Sequence, residues 1–501
     1  MIETLIVGEQ SQVFPTAPAG LVLPGDPGVP RTLAPTKYNN FAPRFGLAYS
    51  PRTTDGLLAK ILGGPGNTSI RAGYGLFYQS IQQADTEQEI GDAPYGFYYQ
   101  NPTPPLLSSP FIDRTTGNLE PSDFPFQFPP ANVSSKNPDT SFPWPLVEPI
   151  SGGNYFYNKN TLPYSQDYEL SLQRQFGSAT VLTLSYVGTV GRKLLTYVES
   201  NPGEQALCLE LSNTANLQPG SPTCGPFGEN GVYTLANGQV INGVRAPFGP
   251  NFGSNAYMKS MANSSYNSFQ TSLQHNDKYG RFMIAYTWSK SMDNGSGTLD
   301  ATNPYNPRLS RALSIFDVPQ NFVASYTIQL PFDKWSGNGM LAKRLTGGWA
   351  LSGITTFASG QPIQLSETDD NSLSGTFLAP VDVPSYADNG SKLYVDRNPR
   401  HGNPYFNPNY FVQEPLGQIG NAMRRFFVGP GLNNSNLALL KTTKLSETKE
   451  LQFRAETFNV FNHAQFNNPS GDFNNTGQGG FGYVTSARDP RIMQVALKLL
   501  F

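Results

Sequence analysis

"RIMQVALKLLF", residues Arg491–Phe501, ends the sequence on a large aromatic residue. Most soluble domains finish in a few polar residues that fray into water. Here Met493, Val495, Leu497, Leu499 and Phe501 take alternate positions, so they share one face of an extended strand. Ile492, Gln494, Ala496, Lys498 and Leu500 fall on the opposite face. An apolar face that runs to the last residue needs apolar surroundings. The rest of the chain says what kind.

The same period of two recurs upstream. "RFGLAY" sets Phe45, Leu47 and Tyr49 against Arg44, Gly46 and Ala48. "SIRAGYGLFY" alternates Ile70, Ala72, Tyr74 and Leu76 with Arg71, Gly73, Gly75 and Phe77. "DYELSLQRQF" and "ATVLTLSYVG" follow, separated by "GS", and read as a tight hairpin. "YNSFQTSLQH" and "RFMIAYTWSK" are joined by "NDKYG" as a second hairpin. "NFVASYTIQL", "GWALSGITTFAS", "NLALLKTTKL" and "KELQFRAETFNVF" extend the series, the last two joined through "SET". With the terminal segment, the alternation predicts about eleven strands.

Connections alternate between short and long. The short ones follow Tyr49, Phe176, His275, Leu330 and Leu445. The long ones run from Tyr78 to Gln166, Gly188 to Tyr266, Lys290 to Asn321, Ser359 to Asn436, and Phe461 to Arg491. Several far exceed the usual loop of roughly four to six residues. A soluble sandwich has no reason to gather its long loops at one end. A transmembrane β-barrel does: its periplasmic turns are short and its extracellular loops long. The fold class expected is all-β, an antiparallel barrel portion with its polar face to the lumen and its aromatic-rich face to lipid. Aromatics near strand ends would form interfacial girdles. The competing expectation is an extracellular all-β protein with a conventional core.

Composition agrees with a barrel. Charged residues make up 14% of 501, the net charge is −2, and no basic patch suits nucleic acid. Glycine (49) and proline (43) favour turns, while 25 tyrosines and 33 phenylalanines argue against a disordered chain. No apolar run reaches the roughly 18 residues of a membrane-spanning helix. Transmembrane strands leave little trace in a mean hydropathy of −0.37. The start, "MIETLIVGEQSQVF", is not read as a signal peptide. Cys208 and Cys224 bracket a polar, loop-like stretch and are either a disulfide of an oxidising compartment or two free thiols.

Several segments also resemble a known family. "NNFAPRFGLAYSP", "LPYSQDYELSLQRQFG", "LSYVGTVGRKL", "AYTWSKSMDN", "GGWALSGITTFASGQP", "LQFRAETFNVFNHAQFNNP" and "FGYVTSARDPRIMQVALKLLF" are similar to Oar-like TonB-dependent outer-membrane receptors, a type abundant in acidobacteria. The resemblance runs from about Asn39 to Phe501. It implies the outer membrane of a Gram-negative bacterium, and a barrel of about 22 strands of which this chain would be the C-terminal half. Residues 1–41 would be a truncated loop or linker region and 42–501 the C-terminal part of the barrel. The plug and TonB box would lie on a missing N-terminal part, through which the TonB complex would act. The function implied is uptake of a large, unidentified extracellular solute. A surface-exposed structural or adhesin-like barrel without active transport is the alternative. The resemblance further implies that Met493, Val495, Leu497, Leu499 and Phe501 form the signal read by the barrel-assembly machinery as an edge to be paired.

Chemistry is sparse. His275, His401 and His463 are isolated and read as solvated or lumen-facing. No nucleotide-binding, metalloprotease or nucleophile-elbow motif is present, so no enzyme, cofactor or metal is expected. "SETDDNS" could offer Asp369 and Asp370 to calcium but reads better as a solvated turn. Gln452, Arg454 and Glu456 share the polar face of one strand and read as a lumen network of paired charges rather than ligand contacts. The aromatic loops "YGFYYQNPTPP" and "FPFQFPP" are candidates for solute capture.

Overall fold

The structure, a computed structural model, describes residues 3–81, 92–96, 108–109, 112, 129–130, 132–297, 300, 302–335, 339–376 and 382–501. Alternating segments rich in β-branched and aromatic residues, with no proline inside them, become strands. In chain order these are β1 (Arg44–Tyr49), β2 (Thr68–Tyr78), β3 (Tyr164–Phe176), β4 (Thr180–Glu199), β5 (Ala256–Asp277) and β6 (Gly280–Asp293). They continue as β7 (Gln320–Leu330), β8 (Trp349–Ala358), β9 (Leu432–Lys444), β10 (Glu450–Phe458) and β11 (Ile492–Leu500). Each pairs antiparallel with its neighbours in chain order, giving one continuous sheet from β1 to β11. Among the described residues β1 and β11 do not pair with each other, so the sheet is not closed.

Local chemistry sets the turns. Asp277 pairs with Gly280, and its Oδ1 accepts the N–H groups of Tyr279 (2.9 Å) and Gly280 (3.1 Å), closing the β5–β6 hairpin. The β3–β4 turn is one residue longer than "GS": Phe176 pairs with Thr180, leaving Gly177, Ser178 and Ala179 between them. Gly177 has φ +60°, a conformation that favours glycine.

Register, which sequence alone does not supply, joins the individual alternations into two faces. Residues directly opposite in an antiparallel ladder point the same way. Phe282 lies opposite Tyr326, Tyr326 opposite Gly353, Gly353 opposite Leu437, Leu437 opposite Thr457, and Thr457 opposite Met493. In the other direction Ile284 meets Leu273, Leu273 meets Leu182, Leu184 meets Leu172, Leu172 meets Ile70, and Ile70 meets Tyr49. The apolar stripe of every strand therefore lies on one side of the whole sheet. That side is uncovered: Leu47 is 67% exposed, Trp288 62% and Leu497 68%. A soluble sandwich would bury these side chains at roughly 1.5–3 kcal/mol each, so this face is built for an apolar solvent.

Aromatic residues on this face gather near the strand ends. Tyr168, Tyr186, Trp288, Phe322 and Phe357 lie toward the long connections; Tyr49, Phe176 and Trp349 lie toward the short ones. Tyr168 and Tyr186 both donate their hydroxyls to Asn267 Oδ1, at 2.9 and 2.8 Å, linking three strands.

The buried cores lie on the side of the long connections. Strands β4 and β5 continue there past a register shift at Ser260–Ser264, and Ala256–Met258 also pair in parallel with Asn154–Phe156. At roughly 3.3 Å per residue these strands far outrun the 9–11 residues that cross a bilayer. Their far ends are buried, with Tyr197, Ala256 and Met258 beside Phe156. Residues near the start of the chain join a second core, in which Leu5, Phe14 and Leu21 pack with Phe142, Trp144 and Phe252. Buried Asp26 organises that segment, accepting from Ser11 Oγ (2.7 Å) and the N–H groups of Gln12, Val13 and Leu23. A third core centres on Phe406, Phe411, Phe427 and Phe481. No helix among the described residues is long and apolar enough to cross a membrane, which says nothing of strands.

Candidate functional site

The terminal strand continues the apolar face. Met493, Val495, Leu497 and Leu499 lie opposite Thr457, Ala455, Phe453 and Leu451 of β10, and Phe501 is 95% exposed at the end. Among the described residues, β11 pairs only with β10, so its other edge presents free backbone donors and acceptors.

Gln452, Arg454 and Glu456 lie on the polar face, opposite Lys498, Ala496 and Gln494. The Arg454 guanidinium donates to Glu456, and the Gln494 side-chain amide donates to the same carboxylate from the neighbouring strand. Further across this face the hydroxyls of Thr327 and Ser352 are 2.9 Å apart. An open cavity of about 740 Å³ is bordered by Gln274, Ser325, Ser352, Asn436 and Glu456 together with the apolar Met283, Ile354 and Phe458. The lining therefore mixes polar and apolar groups.

The histidines stay apart. His275 departs from the expectation: register puts it on the apolar face beside Phe282, with ring centroids 5.1 Å apart, and Thr180 Oγ1 lies 2.8 Å from its Nδ1. Two residues from a turn, the imidazole can stack on an aromatic ring while its nitrogens reach polar neighbours. His401 lies 2.8 Å from Asp396, and His463 lies beside Gln465.

The cysteine stretch is more ordered than its polarity suggests. Cys208 sits in helix α1 (Gln205–Leu211) and forms a disulfide with Cys224, their Cα atoms 5.4 Å apart. Both are buried with Leu211, Tyr233 and Val244. The apolar spacing of Leu207, Cys208 and Leu211 was the available helical signal. Asp370 is likewise not in a solvated turn. It is buried, and its carboxylate accepts from the N–H groups of Ser374 (3.0 Å), Gly375 (2.8 Å) and Phe227 (2.9 Å).

Charge clusters that sequence reading missed hold the long connections together. Arg424 and Arg425 reach Asp300 at 2.6 and 3.0 Å, and Arg425 also reaches Asp293 at the end of β6. Burial pushes Arg424 down to about 10 against the pull of Asp300, which leaves it cationic at neutral pH. Elsewhere Arg245 lies 3.9 Å from Glu229. Burial, reinforced by Asp370, outweighs that attraction and raises Glu229 to about 8. The adjacent arginines in a chain with few charges were the one visible signal. Of the aromatic loops, Tyr95 packs edge-on against Phe14 at 5.9 Å. Residues 97–105 of "YGFYYQNPTPP" and 124–128 of "FPFQFPP" lie outside the described residues.

Comparison with known proteins places this architecture. A model of the outer membrane beta barrel domain matches residues 5–494. No curated protein matches. Among solved structures, the outer membrane transporter YddB from Escherichia coli aligns with TM-score 0.38 and 9% identity over 87% of this chain and 38% of that one. The siderophore receptor PirA from Acinetobacter baumannii aligns with TM-score 0.39 and 11% identity over 92% and 41%. The ferric citrate transporter FecA gives 0.35 and 9% over 92% and 38%. This chain thus spans about two fifths of the length of those structures. With a family model covering nearly all of it, the chain belongs to the outer membrane β-barrel domain family and resides in the outer membrane of a Gram-negative bacterium.

Proposed function

We propose that this chain is the C-terminal half of a TonB-dependent receptor barrel of the Oar-like type, contributing wall and extracellular loops to the uptake of a large solute. The observation that carries this reading is the two-faced, unclosed sheet: a continuous apolar face, an opposite face that carries Gln452, Arg454 and Glu456, and packed loops at one end. Lipid would cover the exterior. The two free edges of β1 and β11 would pair with further strands, since an unpaired edge in a bilayer costs several kcal/mol per unsatisfied group. Residues 42–501 would be barrel, with 1–41 as loop. Gln452, Arg454 and Glu456 would face the lumen as part of a network of paired charges. Met493, Val495, Leu497, Leu499 and Phe501 would serve as the assembly signal. The role is non-enzymatic and needs no cofactor.

The packed loop side would equally suit an adhesin-like barrel, so the test separates the two. The native locus is expressed with a tag in the 213–221 stretch, and the outer-membrane fraction is purified through it. Recovery of plug-bearing peptides, contiguous with the chain or bound to it, and loss of solute uptake without TonB are expected. Recovery of the 54.7 kDa chain as a closed, heat-modifiable barrel with no plug would overturn the proposal.

A further inference from the structure

The connection between β8 and β9 brings together carboxylates from its two ends. Glu367 and Asp369 lie soon after β8 and Glu414 lies shortly before β9, yet one oxygen from each falls within 4.8 Å of the others. Glu367 and Glu414 are each only 3% exposed. Both oxygens of Glu367, both oxygens of Glu414 and Oδ1 of Asp369 are buried and accept no hydrogen bond from the protein. The opposite oxygen of Asp369 accepts from the side-chain amides of Gln413 and Asn474, the latter at 2.9 Å, which holds the carboxylate in place. Among the described residues no basic side chain forms an ion pair with any of the three.

Three carboxylates so placed cannot all stay ionised without compensation, because each is desolvated and repels the others. Either protons or a cation must supply the missing charge. Three converging oxygens, one from each residue, drawn from carboxylates with five buried oxygens that accept no hydrogen bond, favour the cation.

We infer that Glu367, Asp369 and Glu414 form a Ca²⁺ site that fastens the two ends of this extracellular connection to each other and, through Asn474, to the connection between β10 and β11. The ligands are oxygen only, which disfavours zinc and copper. A spacing of up to 4.8 Å matches oxygens arranged around a cation about 2.3–2.6 Å from each. Mg²⁺ demands a strict octahedron at about 2.0–2.1 Å and keeps several waters, which suits three buried carboxylates less well. The site does not depend on whether the barrel transports anything.

The test uses the whole chain, purified in detergent and stripped with chelator. Calorimetric titration with CaCl₂ is expected to show one ion bound per chain, with MgCl₂ binding at least about tenfold more weakly. At a Ca²⁺ concentration ten times the dissociation constant, cleavage of the 359–431 stretch by added protease should slow about tenfold. Glu414→Gln and Asp369→Asn should each remove the binding and the protection. Unchanged cleavage of the wild-type chain with and without Ca²⁺ would overturn the inference without reference to any variant. Binding that survives Glu414→Gln would place the ion elsewhere and overturn it too. Protection produced by Glu414→Gln in chelator alone would mean that a shared proton, not a metal, neutralises the cluster.

Discussion

Arg425 and Asp293 meet across 132 residues of chain, with guanidinium Nη2 donating to carboxylate Oδ1 at 3.2 Å and both side chains buried. Asp293 ends β6 on the loop side, and Arg425 lies just before β9. The same guanidinium donates to the Leu313 carbonyl (2.6 Å), Asp300 (3.0 Å) and Ser296 (3.0 Å). One arginine thus ties two long connections, β6–β7 and β8–β9, to the end of β6. Arg425→Ala should lower the unfolding free energy of the loop side by at most about 3–5 kcal/mol, because buried Asp293 loses its nearer cation and keeps Arg424 at 3.7 Å. Limited proteolysis against denaturant would measure this, with β11 and the turns unaffected.

The two faces of the sheet predict opposite outcomes for adjacent residues. Leu184 lies on the apolar side of β4, opposite Leu172 and Thr271, whereas Thr183 lies on the polar side. Leu184→Arg should destabilise the membrane-inserted barrel by about 2–4 kcal/mol, while Thr183→Arg should cost less than about 1 kcal/mol. Unfolding from lipid vesicles compares them directly. Equal losses would mean that the face assignment is wrong.

Deletion of Phe501 from the full receptor should sharply reduce the yield in the outer membrane. Its side chain touches no core, being 95% exposed, so a loss of assembly would reflect recognition rather than folding stability. Fractionation with a heat-modifiability gel reads the result, and unchanged yield would count against the signal.

For Cys208 and Cys224, alkylation before and after reduction should differ by two thiols. The bridge closes a separation of 16 residues inside a small buried cluster. Its removal by Cys208→Ser with Cys224→Ser should cost the loop region about 2–4 kcal/mol. Equal labelling in both states would reject the pairing.

Asp92 predicts a pH dependence. Burial raises its carboxyl from 3.8 to about 7, opposed by the Asn154 N–H it accepts at 2.9 Å. A raised acid binds its proton more tightly in the folded state, so its stabilising contribution is full below about pH 4 and falls as pH rises toward 7. Asp92→Asn keeps the acceptor and removes the charge. It should flatten the slope between those values and stabilise the loop side at pH 8, as read by thermal unfolding across pH.

Much of the membrane part was legible because its determinants are local. A strand crossing lipid must alternate, and each alternation is visible within a ten-residue window. The upper halves of β4 and β5 were not legible. Segments such as Lys259–Asn263 pack against loops and neighbouring strands rather than lipid, so nothing enforces a period of two there. His275 was misplaced for a related reason: its face depends on the partner strand and its stacking on Phe282, not on its own polarity.

The sequence by itself determined the strands, their short and long connections and the apolar stripe that ends at Phe501, because a period-two pattern is written in consecutive residues. Tertiary structure alone decided that every stripe lies on the same side, that Arg425 finds Asp293, and that Glu367, Asp369 and Glu414 converge. Those facts rest on register and on loop packing between distant segments. One residue of slip would reverse a face, and no local pattern records where a long loop returns.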